Sequence, residues 1–441
     1  MASDSPMKQW HEFRDPIHGF VRVDSDERKV IDSRPFQRLR HIHQLALTYL
    51  VYPSASHKRF EHSLGVMELA SRVFDAIFSK WDDPVKKLLP KLIEDKKLKY
   101  WRTVLRLAAL LHDIGHLPFS HAAEAQLLPD DYDHERIGWD LITTDANLKT
   151  AFEGSDPPVR SEDVARIAVG KVDGQRELEP HEKLLNSIIT GDAFGVDRID
   201  YLLRDAHHCG VAYGRFDHYR LIDTLLILIA PKTGQPAIGV EHGGLQAAES
   251  LNLARYLMFS QVYLHPVRRA YDKHLQSFLS LWLEEGKFKT TPACFLAITD
   301  NEILAAIHEA AYDEGNKMHG AAQRIWCRNH FKILYQAGPQ DGPEMMKLLG
   351  KEAENKFPDD VFHDDYQKNS SVNFPVLKRD NQVGESLQES HVLRNLPPIG
   401  VNALMASSNL EIQKKINEWL VPRSAELRAA FPKEKPDDKK A

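Results

Sequence analysis

Cysteine is scarce in this sequence. Three residues in 441, Cys209, Cys294 and Cys327, form no C-x-x-C pair and leave an odd count. That excludes a disulfide frame and points to a reducing compartment. Long apolar runs are missing too. The longest aliphatic stretch, Leu225 to Ala230, is too short to span a bilayer, and residues 1–11 hold no apolar leader. A cytosolic, cytoplasmic location without a membrane partner is expected. There is no excess of positive charge: 57 Lys and Arg face 63 Asp and Glu, a net charge of −6. Broad nucleic-acid affinity is therefore not favoured. No internal repeat is found, and no P-loop, G-x-S-x-G or G-x-G-x-x-G in a convincing context, which removes the common phosphate-loop, esterase and dinucleotide readings.

Histidine, by contrast, is abundant. Of 22 residues, His57, His62, His112, His116, His121 and His134 lie close together in the first third. Histidine is the commonest metal ligand and the usual acid or base at neutral pH. Scattered surface positions account for His308, His319, His330 and His391 but not for this group. Apolar spacing predicts helices over about 35–46 (Phe36, Leu39, Ile42, Leu45) and from about Glu61 (Val66, Ala70, Val73, Ile77). Further helices are expected over 182–190, from Val196 through Asp205, and over 244–264, 268–285, 300–313, 321–334 and 410–430. Strand signals are few: Phe13 to Val23 around Asp15-Pro16 and His18-Gly19, and Leu225–Ala230 paired with Ala237–Glu241. The expected fold class is mainly α with small β-hairpin accessories.

One stretch stands apart. Val104, Leu105, Leu107, Ala108 and Leu111 make a buried helical face that ends abruptly in His112-Asp113-Ile114-Gly115-His116. An imidazole and a carboxylate are costly to bury without partners, and a metal ion would satisfy both. Adjacent helical residues point about 100° apart, so both reach one ion only at a helix end, which Gly115 and Pro118 supply. His62 and Asp197 lie at the starts of two other expected helices. A set of two His and two Asp suits Fe, Mn, Zn, Ni or Mg better than a structural zinc, although long gaps leave spacing alone unable to select it.

The ordered set His62, His112-Asp113 and Asp197 resembles the HD-domain metal-dependent phosphohydrolase superfamily. Longer segments are similar to its deoxynucleoside triphosphate triphosphohydrolases, which include the animal enzyme joining a sterile alpha motif to an HD domain and bacterial relatives. These are Asp15-Pro-Ile-His-Gly19, Phe36-Gln-Arg-Leu-Arg40, Ala55-Ser-His-Lys-Arg59-Phe-Glu-His62-Ser-Leu-Gly65, His112-Asp-Ile-Gly-His116-Leu-Pro-Phe-Ser-His121 and Val196-Asp-Arg-Ile-Asp-Tyr-Leu-Leu-Arg-Asp205. The likeness is dense over about 12–275. It implies an N-terminal β/turn segment at 1–30, an HD phosphohydrolase domain at 31–290, a mixed α+β C-terminal region at 291–430 and a disordered charged tail at 431–441.

The resemblance also implies roles. His62, His112, Asp113 and Asp197 would hold a divalent metal. His116, His121 and His134 would surround the α-phosphate, with His121 and His134 as acid/base groups and Glu124 orienting a ring. Arg59 and Arg198 would grip phosphate oxygens. Gln44, Tyr201, Asp205 and Tyr271 would contact the sugar or line the pocket. Asp32, Gln37, Arg38 and Arg40 match positions that help bind an activating nucleotide between subunits, so a homo-oligomer, tetrameric by the same resemblance, is implied. The chain departs from the animal branch at Gln261 and at an inserted Pro266-Val267, and it carries Ala46-Leu-Thr-Tyr49 in place of a glycine-rich stretch. The expected function is hydrolysis of deoxynucleoside triphosphates to deoxynucleoside and triphosphate. The alternatives are an HD phosphohydrolase for another nucleotide, either a monophosphate or a signalling nucleotide, and a non-catalytic nucleotide sensor or single-strand nucleic-acid binder.

Overall fold

A computed structural model of the chain describes residues 10–120, 127–368 and 372–431. The chain divides into two compact units. The first comprises 1–258, 283–304 and 371–396, and the second 259–282, 305–370 and 397–441.

The first unit opens on the hairpin Trp10–Asp15 with Gly19–Asp24. Its turn is built by Asp15, whose Oδ1 accepts the amides of Ile17 and His18 at 2.8 Å each. Gly19 follows at φ +80°, a conformation open to glycine. Helix Arg59–Phe78 is buried on nearly every side, by Leu64, Met67, Leu69, Val73 and Phe74 among others, which makes it the central helix of the unit. Helix Asp95–Leu111 packs along it, with its lysines Lys96, Lys97 and Lys99 on the solvent side. Helix Val196–Cys209 also packs on the central helix, through an unusually close approach at Gly65. A Cβ added to Gly65 would lie 2.0 Å from Asp200 Oδ1 and 2.4 Å from Arg204 Nη2. Gly115 is equally tight: its Cβ would meet the His134 carbonyl at 2.1 Å, where helix His134–Thr144 begins.

Several expectations from the pattern change. The helix expected over 35–46 stops at Arg38 and passes through a short 3₁₀ turn at Leu39–His41. An antiparallel bridge between His43 and Lys58, with Arg59 N bonded to Ile42 O and Gln44 N to His57 O, draws the backbone out of the helix. Ala46 then turns at φ +48°. The hairpin at Leu225–Ile229 and Pro236–Glu241 is present, and the short strands Pro375–Leu377 and Val383–Glu385 extend its sheet. These strands, and Asp300 bonded within the first unit, mean that 283–304 and 371–396 fold with the N-terminal part. A break at 290 therefore does not coincide with the division into units.

The second unit is built on an antiparallel sheet in the order Lys332–Gln336, Ile399–Ala406, Val361–Lys368. Helices Pro343–Lys356 and Leu410–Ala430 supply Met345, Leu349, Ile416 and Leu420 to a core with Val361, Leu404 and Ala406. The helix expected over 321–334 ends at Trp326, because Lys332–Gln336 is claimed by this sheet. The result is the expected class, a mainly helical fold with small sheets and a mixed α+β C-terminal region.

Candidate metal and phosphate site

Three helix ends of the first unit converge. His62 lies in the first turn of Arg59–Phe78, His112 caps the end of Asp95–Leu111, and Asp197 is the second residue of Val196–Cys209. One ligand atom from each of His62, His112 and Asp197 lies within 4.8 Å of the others, a group able to hold a metal ion. His62 is fully buried, with Nε2 3.0 Å from Asp197 Oδ1 and 3.6 Å from Asp113 Oδ2. The chain leaves its helix after Leu111, so His112 and Asp113 sit on a turn and both side chains reach the cluster. Asp113 Oδ1 lies 3.3 Å from His112 Nε2 and 3.2 Å from His116 Nε2. Its Oδ2 accepts from Arg59 Nη1.

The donor set fits a divalent cation on one further observation. His112 Nδ1 donates to the Ala109 carbonyl at 2.8 Å, and its Nε2 is buried with no hydrogen-bond partner among the described residues. An unsatisfied buried acceptor of this kind costs about 1–3 kcal/mol, and an ion would offset that cost. Imidazole nitrogens with carboxylate oxygen suit Fe, Mn, Zn, Ni or Mg.

The electrostatics are those of a dense charge cluster. Burial opposes charge on His62, but Asp197, Asp200 and Asp113 together hold its pKa up to about 10. Burial would raise Asp197, yet His112 and His62 hold it well below the carboxylate range. Asp113 is likewise depressed against burial, by Arg59, His112 and His116.

Sequence reasoning missed the support under His62. Asp200, fully buried, accepts from His62 Nδ1 at 2.8 Å and from His18 Nε2 at 2.6 Å. Arg204, also fully buried, forks onto the same carboxylate at 2.8 and 2.9 Å and reaches Asp15 at 2.8 Å. A carboxylate on the far nitrogen of a metal-binding histidine fixes its tautomer and ring orientation. The signal was available in the i, i+3, i+7 spacing of Asp197, Asp200 and Arg204 and in Asp15-Pro-Ile-His18, but no local rule pairs them.

The other expected site residues fall into three groups. Around the cluster, the His116 and His134 rings stack at 4.2 Å and 11°. Arg59 Nε donates to Ser120 Oγ at 2.8 Å, and Ser120 and Phe119 both hold left-handed backbone. Gln44 Oε1 is buried without a hydrogen-bond partner. Asp205 is buried and paired with His57 Nε2 at 2.8 Å, while Arg198 folds back onto the Gly191 and Asp192 carbonyls. Tyr201 is half-buried on the same helix as Asp197 and Asp205. A second group lies apart. Asp32 and Arg40 are exposed and Gln37 half-buried, but Arg38 turns inward, bonded to the His116 and Ile298 carbonyls and stacked on Phe295 at 4.1 Å. Burial lowers its pKa to about 9. Tyr271 belongs to the second unit, where its ring is fully buried 4.8 Å from His330 and its hydroxyl is unpartnered. His121 and Glu124 lie outside the described residues. A shallow surface pocket lined by Asp24, Glu27, Val30, Thr103 and Asp156 contains none of these groups.

A mainly helical unit that gathers two histidines and an aspartate at three helix ends has the architecture of a metal-dependent phosphohydrolase domain. The HD domain family matches residues 59–205, and the HD associated region matches 216–396. The chain belongs to the HD-domain superfamily and is related to its deoxynucleoside triphosphate triphosphohydrolases. It is 39% identical to an uncharacterized protein of Methanocaldococcus jannaschii over 67% of this chain and 56% of that one. It is 34% identical to the deoxynucleoside triphosphate triphosphohydrolase SAMHD1 of Gallus gallus over 76% of this chain and 58% of that one. The chain thus spans less than two thirds of these curated relatives. A solved hypothetical protein from Aquifex aeolicus superposes with a TM-score of 0.76 at 33% identity, over 93% of this chain and 100% of that one. Among the described residues, no helix is long and apolar enough to cross a membrane.

Proposed function

We propose that this chain is a metal-dependent deoxynucleoside triphosphate triphosphohydrolase that releases a deoxynucleoside and inorganic triphosphate. The observation that carries the reading is the unpartnered, buried His112 Nε2 facing His62 and Asp197, with cationic and imidazole side chains around it. His62, His112 and Asp197, with Asp113 alongside, would hold the cation. A divalent ion supplies a Lewis acid and a water of near-neutral pKa. The chain's own groups do the rest. Arg59, steadied by Asp113 and Ser120, presents its guanidinium to phosphate oxygens, and Arg198 adds a second fork. The stacked His116 and His134 move the proton that the departing group requires, with His121 and Glu124 assisting. Gln44, with its unpartnered Oε1, and Tyr201 and Asp205 define the nucleoside end. The exposed Asp32 and Arg40 and the half-buried Gln37 form the patch for an activating nucleotide in a homo-oligomer, with Arg38 turned inward beneath it.

The test is product analysis. The metal-loaded protein is incubated with the four deoxynucleoside triphosphates, singly and in pairs, and the products are resolved. Triphosphate plus deoxynucleoside is expected; release of pyrophosphate or monophosphate refutes the reading. Turnover confined to nucleotide mixtures supports the activating site.

A further inference from the structure

Beside the cluster lies a relay that the proposed mechanism does not use. His43 presents its backbone N–H and its ring Nδ1 to one oxygen of Asp300, at 2.7 and 2.6 Å. A carboxylate so placed requires Nδ1 to carry the ring proton, so Nε2 is an acceptor. Lys58 Nζ donates to that Nε2 at 2.7 Å. Asp300 is fully buried, and its other oxygen accepts the Phe119 amide at 2.8 Å. Phe119 adjoins Ser120, which holds Arg59, and Arg59 follows Lys58 in the chain. The relay therefore closes a ring through the same loop that carries His116.

Its electrostatics are unusual. Arg59 is neutralised by Asp113, but among the described residues no carboxylate pairs with the Lys58 ammonium, whose hydrogen-bond acceptor is His43 Nε2. Burial pulls the Lys58 pKa below the ordinary lysine value, against Asp300 and Glu61. A fixed cation with two of its three N–H groups uncommitted, next to a phosphate-binding arginine, is matched by a polyanion.

We propose that Lys58, aimed by the Asp300–His43 pair, is a second cationic contact for the phosphate chain, taking the oxygens that Arg59 does not reach. This rests on the phosphohydrolase reading for its biological substrate, but the binding chemistry, a linear triphosphate, is testable without turnover. His43 and Asp300 act through Lys58 and are positioning residues.

The test uses the metal-loaded 441-residue chain with inorganic triphosphate as the probe. Isothermal titration is run for wild type, Lys58→Met, Lys58→Arg and His43→Gln, and nucleotide kinetics for the same set. Lys58→Met is expected to weaken triphosphate binding about tenfold and to raise KM by a similar factor with kcat little changed. Lys58→Arg restores most of the loss, and His43→Gln gives an intermediate loss. Lys58→Met with wild-type triphosphate affinity and an unchanged thermal midpoint overturns the proposal, as does wild type that binds no triphosphate. Lys58-dependent triphosphate binding without nucleotide hydrolysis sinks only the functional reading. Hydrolysis with KM unaffected by Lys58→Met sinks only this one.

Discussion

The substitution Asp200→Asn tests the support beneath the proposed metal site. In the native chain each Asp200 oxygen receives two donors: Oδ1 takes His18 Nε2 and Arg204 Nη2, and Oδ2 takes His62 Nδ1 and Arg204 Nε. An asparagine amide can offer an oxygen to only one of these pairs. Whichever way it turns, its NH₂ faces a guanidinium N–H and an imidazole, so two of four bonds are lost and the buried positive charge is left half-compensated. Removing one member of a buried ion pair costs about 3–5 kcal/mol. Asp15 still holds Arg204 at 2.8 Å, so the lower end, about 3 kcal/mol, is expected. With metal-free protein that lowers Tm by roughly 5 °C for a unit of this size. The separate effect is on metal. Loss of a carboxylate behind a ligating histidine typically weakens affinity about 10–100-fold, or about 1.4–2.8 kcal/mol. The assays are thermal unfolding without metal and competitive metal titration with a fluorescent chelator. A folded Asp200→Asn protein that binds metal as tightly as wild type would refute the role assigned to Asp200.

Three further outcomes are expected. His112→Leu removes a buried unsatisfied nitrogen, so the metal-free protein keeps its Tm within a few degrees, while the rise in Tm on adding Mn²⁺ disappears; a rise equal to wild type counts against His112 as a ligand. Gly65→Ala forces a methyl onto Asp200 and Arg204, both locked by their own bonds, and destabilises by about 3 kcal/mol in a denaturant titration; a change below about 1 kcal/mol shows that the helices separate freely. In the second unit, burial, with Arg324 and His330 nearby, lowers the His274 pKa to about 3, and its Nε2 accepts the Phe331 amide at 3.1 Å. The unfolded chain thus binds the extra proton between about pH 6.5 and 3. His274 stabilises the fold fully above that window and progressively less as pH falls through it, by about 1.4 kcal/mol per unit. His274→Gln should flatten this dependence between pH 7.5 and 5, and unfolding curves that keep the wild-type slope speak against it.

Helices with a strong one-sided or fully apolar pattern were legible, and Leu410–Ala430 ends where the periodicity ends. Two failures share a cause. The run from Phe36 to Leu45 has helical spacing, yet the His43–Lys58 bridge removes its second half. The run ending at 334 has it too, yet Ile399–Ala406 recruits Lys332–Gln336 as a strand. In both, hydrogen bonds to a distant segment outweigh a local preference worth only tenths of a kcal/mol per residue. The candidate site shows the same limit. Arg38, read with Gln37 and Arg40 as one patch, is turned inward to the His116 carbonyl, a partner 78 positions away.

The sequence by itself determined the mainly helical class and the ordered histidines and aspartates, because periodicity and residue chemistry are properties of neighbours in the chain. The tertiary structure alone decided that the Arg59 guanidinium pairs with Asp113. It also decided that His62 rests on Asp200 and Arg204, and that Lys58 is aimed by His43 and Asp300. Each of these depends on a hydrogen bond between residues from 15 to 257 positions apart, except that within Val196–Cys209. Such pairs form only because packed helices exclude water around them, and that exclusion is a property of the fold.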